Sequence, residues 1–96
     1  STLRMSAMQT FMYDAILDCM DRFGQPRMVH KDLPNMKTIR YEELREVLEQ
    51  RGLKGMMEKE GKDTAEQVKS ATQAARVALR KMNKVAFNGN YLWLIG

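Results

Sequence analysis

The stretch "NKVAFNGNYLWLIG", residues 83–96, predicts a β-hairpin. Two short apolar runs flank Asn88-Gly89, a pair favoured at the centre of a two-residue type I′ turn because both positions need positive φ. With that turn, Val85 is expected to face Leu92. Strand alternation gives the hairpin two faces, Val85, Phe87, Leu92 and Leu94 on one and Ala86, Tyr91, Trp93 and Ile95 on the other.

Two amphipathic helices are predicted earlier in the chain. Residues 6–23 carry apolar side chains at the i, i+3, i+4 spacing of a helix that buries one face. Ser6 and Gln9 have the spacing of a capping box at its start. Residues 41–51 repeat the helical pattern. On the buried face of this second helix we expect Leu44, Val47 and Leu48.

A third helix is predicted from about Asp63 to Asn83, where alanine recurs and neither glycine nor proline occurs. Its start has two alternative capping boxes, Asp63 with Glu66 or Thr64 with Gln67. The connection over residues 52–62 is charged and punctuated by glycine, and its apolar residues are expected to place one turn against the core. Within the irregular residues 25–40, either "RMVH" or "KTIR" is expected to form a short strand.

These elements predict one α+β domain, mainly α, over residues 1–96, with residues 1–5 disordered. No run reaches the roughly 18 apolar residues of a membrane span, and "STLRMSAMQTF" lacks the apolar block of a signal peptide. A cytoplasmic protein without membrane contact is therefore expected. Because the first residue is Ser1 rather than Met, a processed chain and a fragment of a longer polypeptide both stay open.

The positive charge is concentrated in one segment. The net charge is +4. Residues 1–61 hold ten Lys and Arg against ten Asp and Glu, and residues 85–96 hold none of either. Residues 62–84 hold six cations against two acids, which accounts for the whole excess. The third helix and its edges therefore form the part of the chain expected to attract a polyanion.

Within that helix the cations form a stripe. At about 100° per residue, Lys69, Gln73, Arg76 and Arg80 fall within about 60° of one another, roughly opposite an apolar stripe that includes Ala75. Arg and Lys contact phosphates or guanine edges, and Gln can pair with adenine. The alternative is a solvated helix face without a partner.

Other chemistry has little support in the sequence. Cys19 lies on the apolar stripe of the first helix, so an inert core thiol is expected rather than a nucleophile paired with His30. One Cys and one His cannot build a structural zinc site, and "GLKGMMEKEGK" lacks the ending of a P-loop. The sequence predicts no enzyme activity, no catalytic residue, no metal and no cofactor.

A protein partner is the second hypothesis. The chain has nine methionines, and a methionine-rich surface together with Tyr91 would suit a homodimer or a contact with a parent protein. Core filling by the methionines is the simpler interpretation. Trp93 is expected to pack back over the first helix or the start of the third, whereas the position of Tyr91 stays open.

The segment "DTAEQVKSATQAARVALRKMNKVAFNGNYLWLIG", residues 63–96, resembles the end of a winged helix-turn-helix DNA-binding domain of the bacterial, phage or plasmid type. The resemblance rests on the Ala-rich helix with "ARVALRKMNK", a short strand, the Asn-Gly turn and the strand "YLWLI"; the rest matches only in element order. It implies a winged helix with three helices and a small antiparallel sheet that ends in a C-terminal hairpin wing. Some such modules are appendages of replication or recombination ATPases.

The resemblance also implies a function. Duplex DNA would be bound by the basic face of the helix over 64–83 and by the wing over 84–95, in transcription regulation or in DNA replication or recombination of a bacterium or mobile element. The connection over 52–62 departs from the usual three- or four-residue turn. The alternative is a winged-helix interaction or oligomerisation module without DNA contact. The predicted DNA-binding residues are Lys62, Lys69, Gln73, Arg76, Arg80, Lys84, Asn88 and Asn90.

Overall fold

The computed structural model describes residues 4–95, which form a mainly helical α+β fold with four helices and one four-stranded antiparallel sheet. The order of strands in the sheet is β1-β2-β4-β3. In chain order the elements are α1 (Ala7–Phe23), β1 (Gln25–Arg27), β2 (Met36–Arg40), α2 (Tyr41–Gln50), α3 (Leu53–Lys59), α4 (Ala65–Lys81), β3 (Val85–Asn88) and β4 (Tyr91–Leu94).

Two helices begin at the capping boxes that the sequence predicts. Ser6 Oγ accepts from the backbone N–H of Gln9 at 3.1 Å, and the Gln9 side chain accepts from the Ser6 N–H at 3.0 Å. Of the two alternatives for α4, the structure uses Thr64 with Gln67. Each box satisfies N–H groups that the first helical turn leaves without a partner.

One core joins the inner faces of the helices to one face of the sheet. α1 contributes five buried side chains at the expected spacing, and α2 contributes three. The sheet contributes Ile39, Val85 and Leu92, each at most 1% exposed. The buried hydrophobic side chains are Met12, Ala15, Ile16, Cys19, Met20, Ile39, Leu44, Val47, Leu48, Leu53, Met57, Ala75, Leu79, Val85 and Leu92.

The prediction of three helices is wrong, because the connection after α2 contains the further helix α3. Gly52 begins it at φ +86°, a left-handed conformation that glycine adopts without strain. Leu53 and Met57 lie one turn apart and are buried. Burial of these two side chains stabilises a helix too short to persist alone.

The sheet is also larger than a hairpin with one added strand. β2 covers the predicted strand "KTIR", whereas "RMVH" forms no strand beyond Arg27, the last residue of β1. β1 pairs with β2 through Gln25↔Thr38 and Arg27↔Met36. β2 in turn pairs with β4 through Ile39↔Leu92 and Arg40↔Tyr91.

The hairpin turn differs from the prediction. Asn88 pairs with Tyr91, so the central residues are Gly89 and Asn90 rather than Asn88 and Gly89. Gly89 has φ +60°, and the only non-glycine residue with positive φ in the described part of the chain is Asn83. Positive φ at the first central residue alone is the requirement of a type II′ turn. The partner of Val85 is Leu94, not Leu92, but a shift of two residues leaves every side chain on its predicted face.

The N-terminal segment was predicted to be disordered over residues 1–5. Residues 1–3 lie outside the described part of the chain. Met5 is half-buried and packs against the core. No helix within residues 4–95 has the length and apolar character needed to cross a membrane.

Candidate nucleic-acid interface

The exposed side of α4 carries the predicted stripe of cations. Lys69, Gln73 and Arg80 are exposed and Arg76 is half-buried. We call these four residues the α4 basic stripe. None of the four is acidic, but Glu66 in the first turn of α4 is exposed on the same side of the helix, one turn before Lys69. With three cations beside this one acid, the stripe still has a net positive charge.

Two aromatic rings support the arginines of the stripe. The Cζ atom of Arg76 lies 4.5 Å from the ring centroid of Tyr41 and 5.5 Å from that of Phe87. The Cζ atom of Arg80 lies 4.5 Å from the same Phe87 ring. A guanidinium over a ring face gains about 0.5 to 2 kcal/mol, depending on solvent exposure. The rings therefore favour these positions of the two guanidinium groups before any ligand arrives.

Arg76 is further fixed by its neighbour on the helix. Its Nη2 donates to Gln73 Oε1. Arg76 Nε is buried and makes no hydrogen bond within the described residues. Since Gln73 Oε1 is occupied, bidentate pairing of Gln73 with adenine would require this contact to break. The arrangement suits phosphate contacts by Arg76 better than base reading by Gln73.

A shallow groove continues the stripe towards α2. Lys69, Arg45 and Tyr41 line it above an apolar floor that includes Leu48, and the carboxylate of Glu49 also reaches it. The sequence prediction omitted Arg45 and Tyr41. Their i, i+4 spacing shows that they share a face of α2, but nothing in the sequence shows that this face meets α4.

Two further predicted cations lie before and after α4. Lys62 lies beside Ser6 and Ala74, on the side of α4 that faces the start of α1. Lys84 lies at the base of the hairpin, where its Nζ is 5.9 Å from the ring centroid of Tyr13. At about 3.3 Å per residue, Lys84 is roughly 13 Å along the strand from Asn88. Lys62 therefore lies on another side of α4 from the stripe, and Lys84 lies beside α1 at the base of the hairpin rather than at its tip.

The hairpin tip makes intramolecular hydrogen bonds. Asn90 Nδ2 donates to Glu42 Oε1 at 2.6 Å, and Asn90 O accepts from Tyr41 N at 2.9 Å. Asn88 Nδ2 donates to Val29 O at 3.3 Å. The bonds from its own backbone N–H and from Asn90 lower the pKa of Glu42. Within residues 4–95 each amide keeps one N–H without a partner, but the ionised Glu42 beside the tip repels a phosphate.

The remaining candidate chemistry stays separate. Cys19 is fully buried, and burial raises the pKa of its thiol to about 12, as expected of a core cysteine. His30 is exposed, and its Nδ1 accepts from Asp32 N at 3.1 Å. Cys19 is thus not the reactive thiolate that a nucleophile requires. Residues 4–95 contain no group of three or more His, Cys, Asp or Glu placed to hold a metal ion.

The methionines lie mostly in or beside the core. Met12, Met20 and Met57 are buried, whereas Met28 is 67% exposed. Tyr91 and Trp93 are half-buried on the sheet face opposite the helices. Trp93 shares a hollow with Met20 of α1. Most methionines therefore have a structural role, which weakens the case for a methionine-rich partner surface.

No protein-family model, no curated protein and no solved structure matches the chain. The assignment of a function therefore depends on the residues and geometry described above.

Proposed function

We propose that the chain is a nucleic-acid-binding module of winged-helix type that binds duplex DNA through the α4 basic stripe. The observation that carries the proposal is the row of Lys69, Arg76 and Arg80 on one helix face, with each guanidinium group over an aromatic ring. The location of the whole net charge within residues 62–84 supports it. Roles in transcription regulation and in DNA replication or recombination are both compatible with this mode of binding.

In this proposal β3 and β4 form the wing, and α2 and α4 are the two helices of the helix-turn-helix. The wing positions the stripe, because Phe87 supports Arg76 and Arg80 while Asn90 holds the tip to α2. α4 makes most of the contacts with DNA, and the phosphates of the DNA provide most of the attraction. α3 lies where a short turn is usual, so the connection between α2 and α4 differs from that of a simple helix-turn-helix.

The test is fluorescence anisotropy with a labelled random-sequence duplex at about 50 and about 200 mM salt. Three phosphate contacts give a slope of log K against log salt of about −2.7, and Arg76→Ala/Arg80→Ala should reduce it to about −0.9. The control Arg4→Ala/Lys59→Ala removes the same charge from two exposed positions outside the stripe and should keep the native slope.

If the Arg76→Ala/Arg80→Ala chain binds the duplex with native affinity and slope, the proposal is wrong. A tight dimer indifferent to DNA and to salt would also refute it, and would favour an interaction module.

A further inference from the structure

The outer face of the sheet carries aromatic and cationic side chains that the core does not use. Ile39, Val85 and Leu92 face the helices, and strand alternation turns their neighbours outward. The described core cluster and the hydrophobic residues packed against it include neither Tyr91 nor Trp93, although Trp93 also lines a hollow with Met20 of α1. Arg27, Arg40, Tyr91 and Trp93 lie on this outer face, and Thr38 on the same face is fully buried and hydrogen-bonded to Arg27.

The cations of this face lie close to one of its rings. The Cζ atom of Arg27 is 5.6 Å from the ring centroid of Tyr91. Arg27 Nη1 also donates to the carbonyl oxygen and to Oγ1 of Thr38, both at 3.1 Å, so its side chain is held flat on the sheet. Arg40 is exposed and pairs with Tyr91 across β2 and β4.

The charge of the face points to an anionic occupant. The outward positions of the four strands hold two arginines and no acid. The carboxylates of Glu42 and Glu43 lie at the rim, where they accept from the Asn90 side chain and from the Arg40 N–H at 2.7 Å, and their charge favours an occupant at the centre of the face over one at the hairpin tip. Two copies of the chain joined face to face would place four arginines together, which disfavours a symmetric dimer through this surface.

The two rings suit unpaired bases. Tyr91 and Trp93 lie on one strand, about 7 Å apart along it, and both are partly exposed. Single strands bind where aromatic rings stack on successive bases beside cations that follow the backbone, whereas the bases of a duplex are already stacked and paired. We propose that the outer face of the sheet, with Arg27, Tyr91 and Trp93 at its centre, is a binding platform for single-stranded nucleic acid.

This platform is distinct from the α4 basic stripe. Phe87, which supports the arginines of the stripe, faces the opposite side of the hairpin from Tyr91 and Trp93. The chain would therefore hold duplex DNA on its helical side and a single strand on its outer side. Either activity can be lost by mutation while the other remains.

Trp93 is the only tryptophan and reports directly on the platform. Titration with oligothymidylate should quench its emission and protect it from acrylamide. Tyr91→Leu should weaken the binding of oligothymidylate at least about 5-fold, whereas Tyr91→Phe, which keeps the ring, should stay within about 2-fold of the native chain. Circular dichroism of each variant establishes that it is folded.

Any one of three results would overturn the proposal. The first is that oligothymidylate leaves the Trp93 emission of the folded native chain unchanged. The second is that folded Tyr91→Leu binds the oligonucleotide as tightly as Tyr91→Phe. The third is that Arg76→Ala/Arg80→Ala abolishes single-strand binding while Tyr91→Leu preserves it, which would place the single strand on α4. A chain that fails to bind duplex DNA would not contradict the platform, because Trp93 emission reports on single-strand binding alone.

Discussion

The ring of Tyr41 should strengthen DNA binding although it carries no charge. It lies under the guanidinium of Arg76, with 4.5 Å between Cζ and the ring centroid. Tyr41→Leu keeps an apolar side chain at this position and leaves every cation in place. Arg76 would then be held only by its contacts with Gln73 and with the Phe87 ring.

The expected loss follows from the ordering of one long side chain. Immobilising a side chain with several rotamers on binding costs about 0.5 to 1.5 kcal/mol, which corresponds to about 2- to 13-fold weaker binding. The number of phosphate contacts stays the same, so the salt slope should not change. Arg76→Ala removes one contact instead and should make the slope less steep by about 0.9.

The assay is anisotropy with a labelled duplex across a series of salt concentrations. Tyr41→Phe keeps the ring and should bind like the native chain. Tyr13→Leu is the matched control, because Tyr13 is also half-buried against the core and lies near a cation, Lys84, away from the stripe. Native affinity in folded Tyr41→Leu, or an equal loss in Tyr13→Leu, would refute the role of the ring.

Three further predictions concern the fold. Leu79→Ala removes a fully buried side chain and should lower the free energy of unfolding by about 2 to 5 kcal/mol in a denaturant titration; a loss below about 1 kcal/mol would contradict the burial described. Gly24→Ala places a Cβ against Met20 O and 2.6 Å from Lys37 Cε, so it should destabilise the fold by about 1 to 3 kcal/mol. Gly55→Ala adds its Cβ in open space within α3 and should stabilise the fold by about 0.5 to 1 kcal/mol. Thermal melts in which Gly24→Ala is more stable than Gly55→Ala would be inconsistent with the packing. The Cys19 thiol should resist iodoacetamide at pH 8 in the folded chain and react on unfolding, because burial raises its pKa to about 12; rapid labelling of the native chain would show that α1 is not packed as described.

Local patterns in the sequence predict the helices well. The bounds of α1, α2 and α4 lie within two residues of the predicted ones, because Ser6 and Thr64 define starts through hydrogen bonds three residues away. The start of α3 has no comparable signal, since glycines interrupt the segment and Gly52 makes no side-chain cap. Tertiary burial of Leu53 and Met57 forms that helix, and burial depends on elements distant in sequence.

The register of the hairpin could not be predicted from its own sequence. Asn88-Gly89 favours a type I′ turn when the hairpin is considered alone. In the fold, Asn90 O accepts from Tyr41 N, and the Asn90 side chain donates to Glu42. These contacts with α2 accompany a turn centred on Gly89 and Asn90. The shift preserves which side chains face the core, which is why the composition of the faces was predictable and the register was not.

The sequence predicts the cations of the candidate site but not the aromatic rings that lie against them. Helical periodicity places Lys69, Arg76 and Arg80 together, and the structure has them on one face of α4. Periodicity carries no information about what lies opposite. The rings of Tyr41 and Phe87, which come from α2 and β3, are therefore found only in the three-dimensional structure.

The most direct test of the central proposal is duplex binding by the native chain at two salt concentrations. Contacts by Lys69, Arg76 and Arg80 predict an affinity that falls about 40-fold between about 50 and about 200 mM salt. Absence of binding at the lower salt concentration, or an affinity unchanged between the two, would contradict the assignment of the α4 basic stripe as a DNA-binding surface.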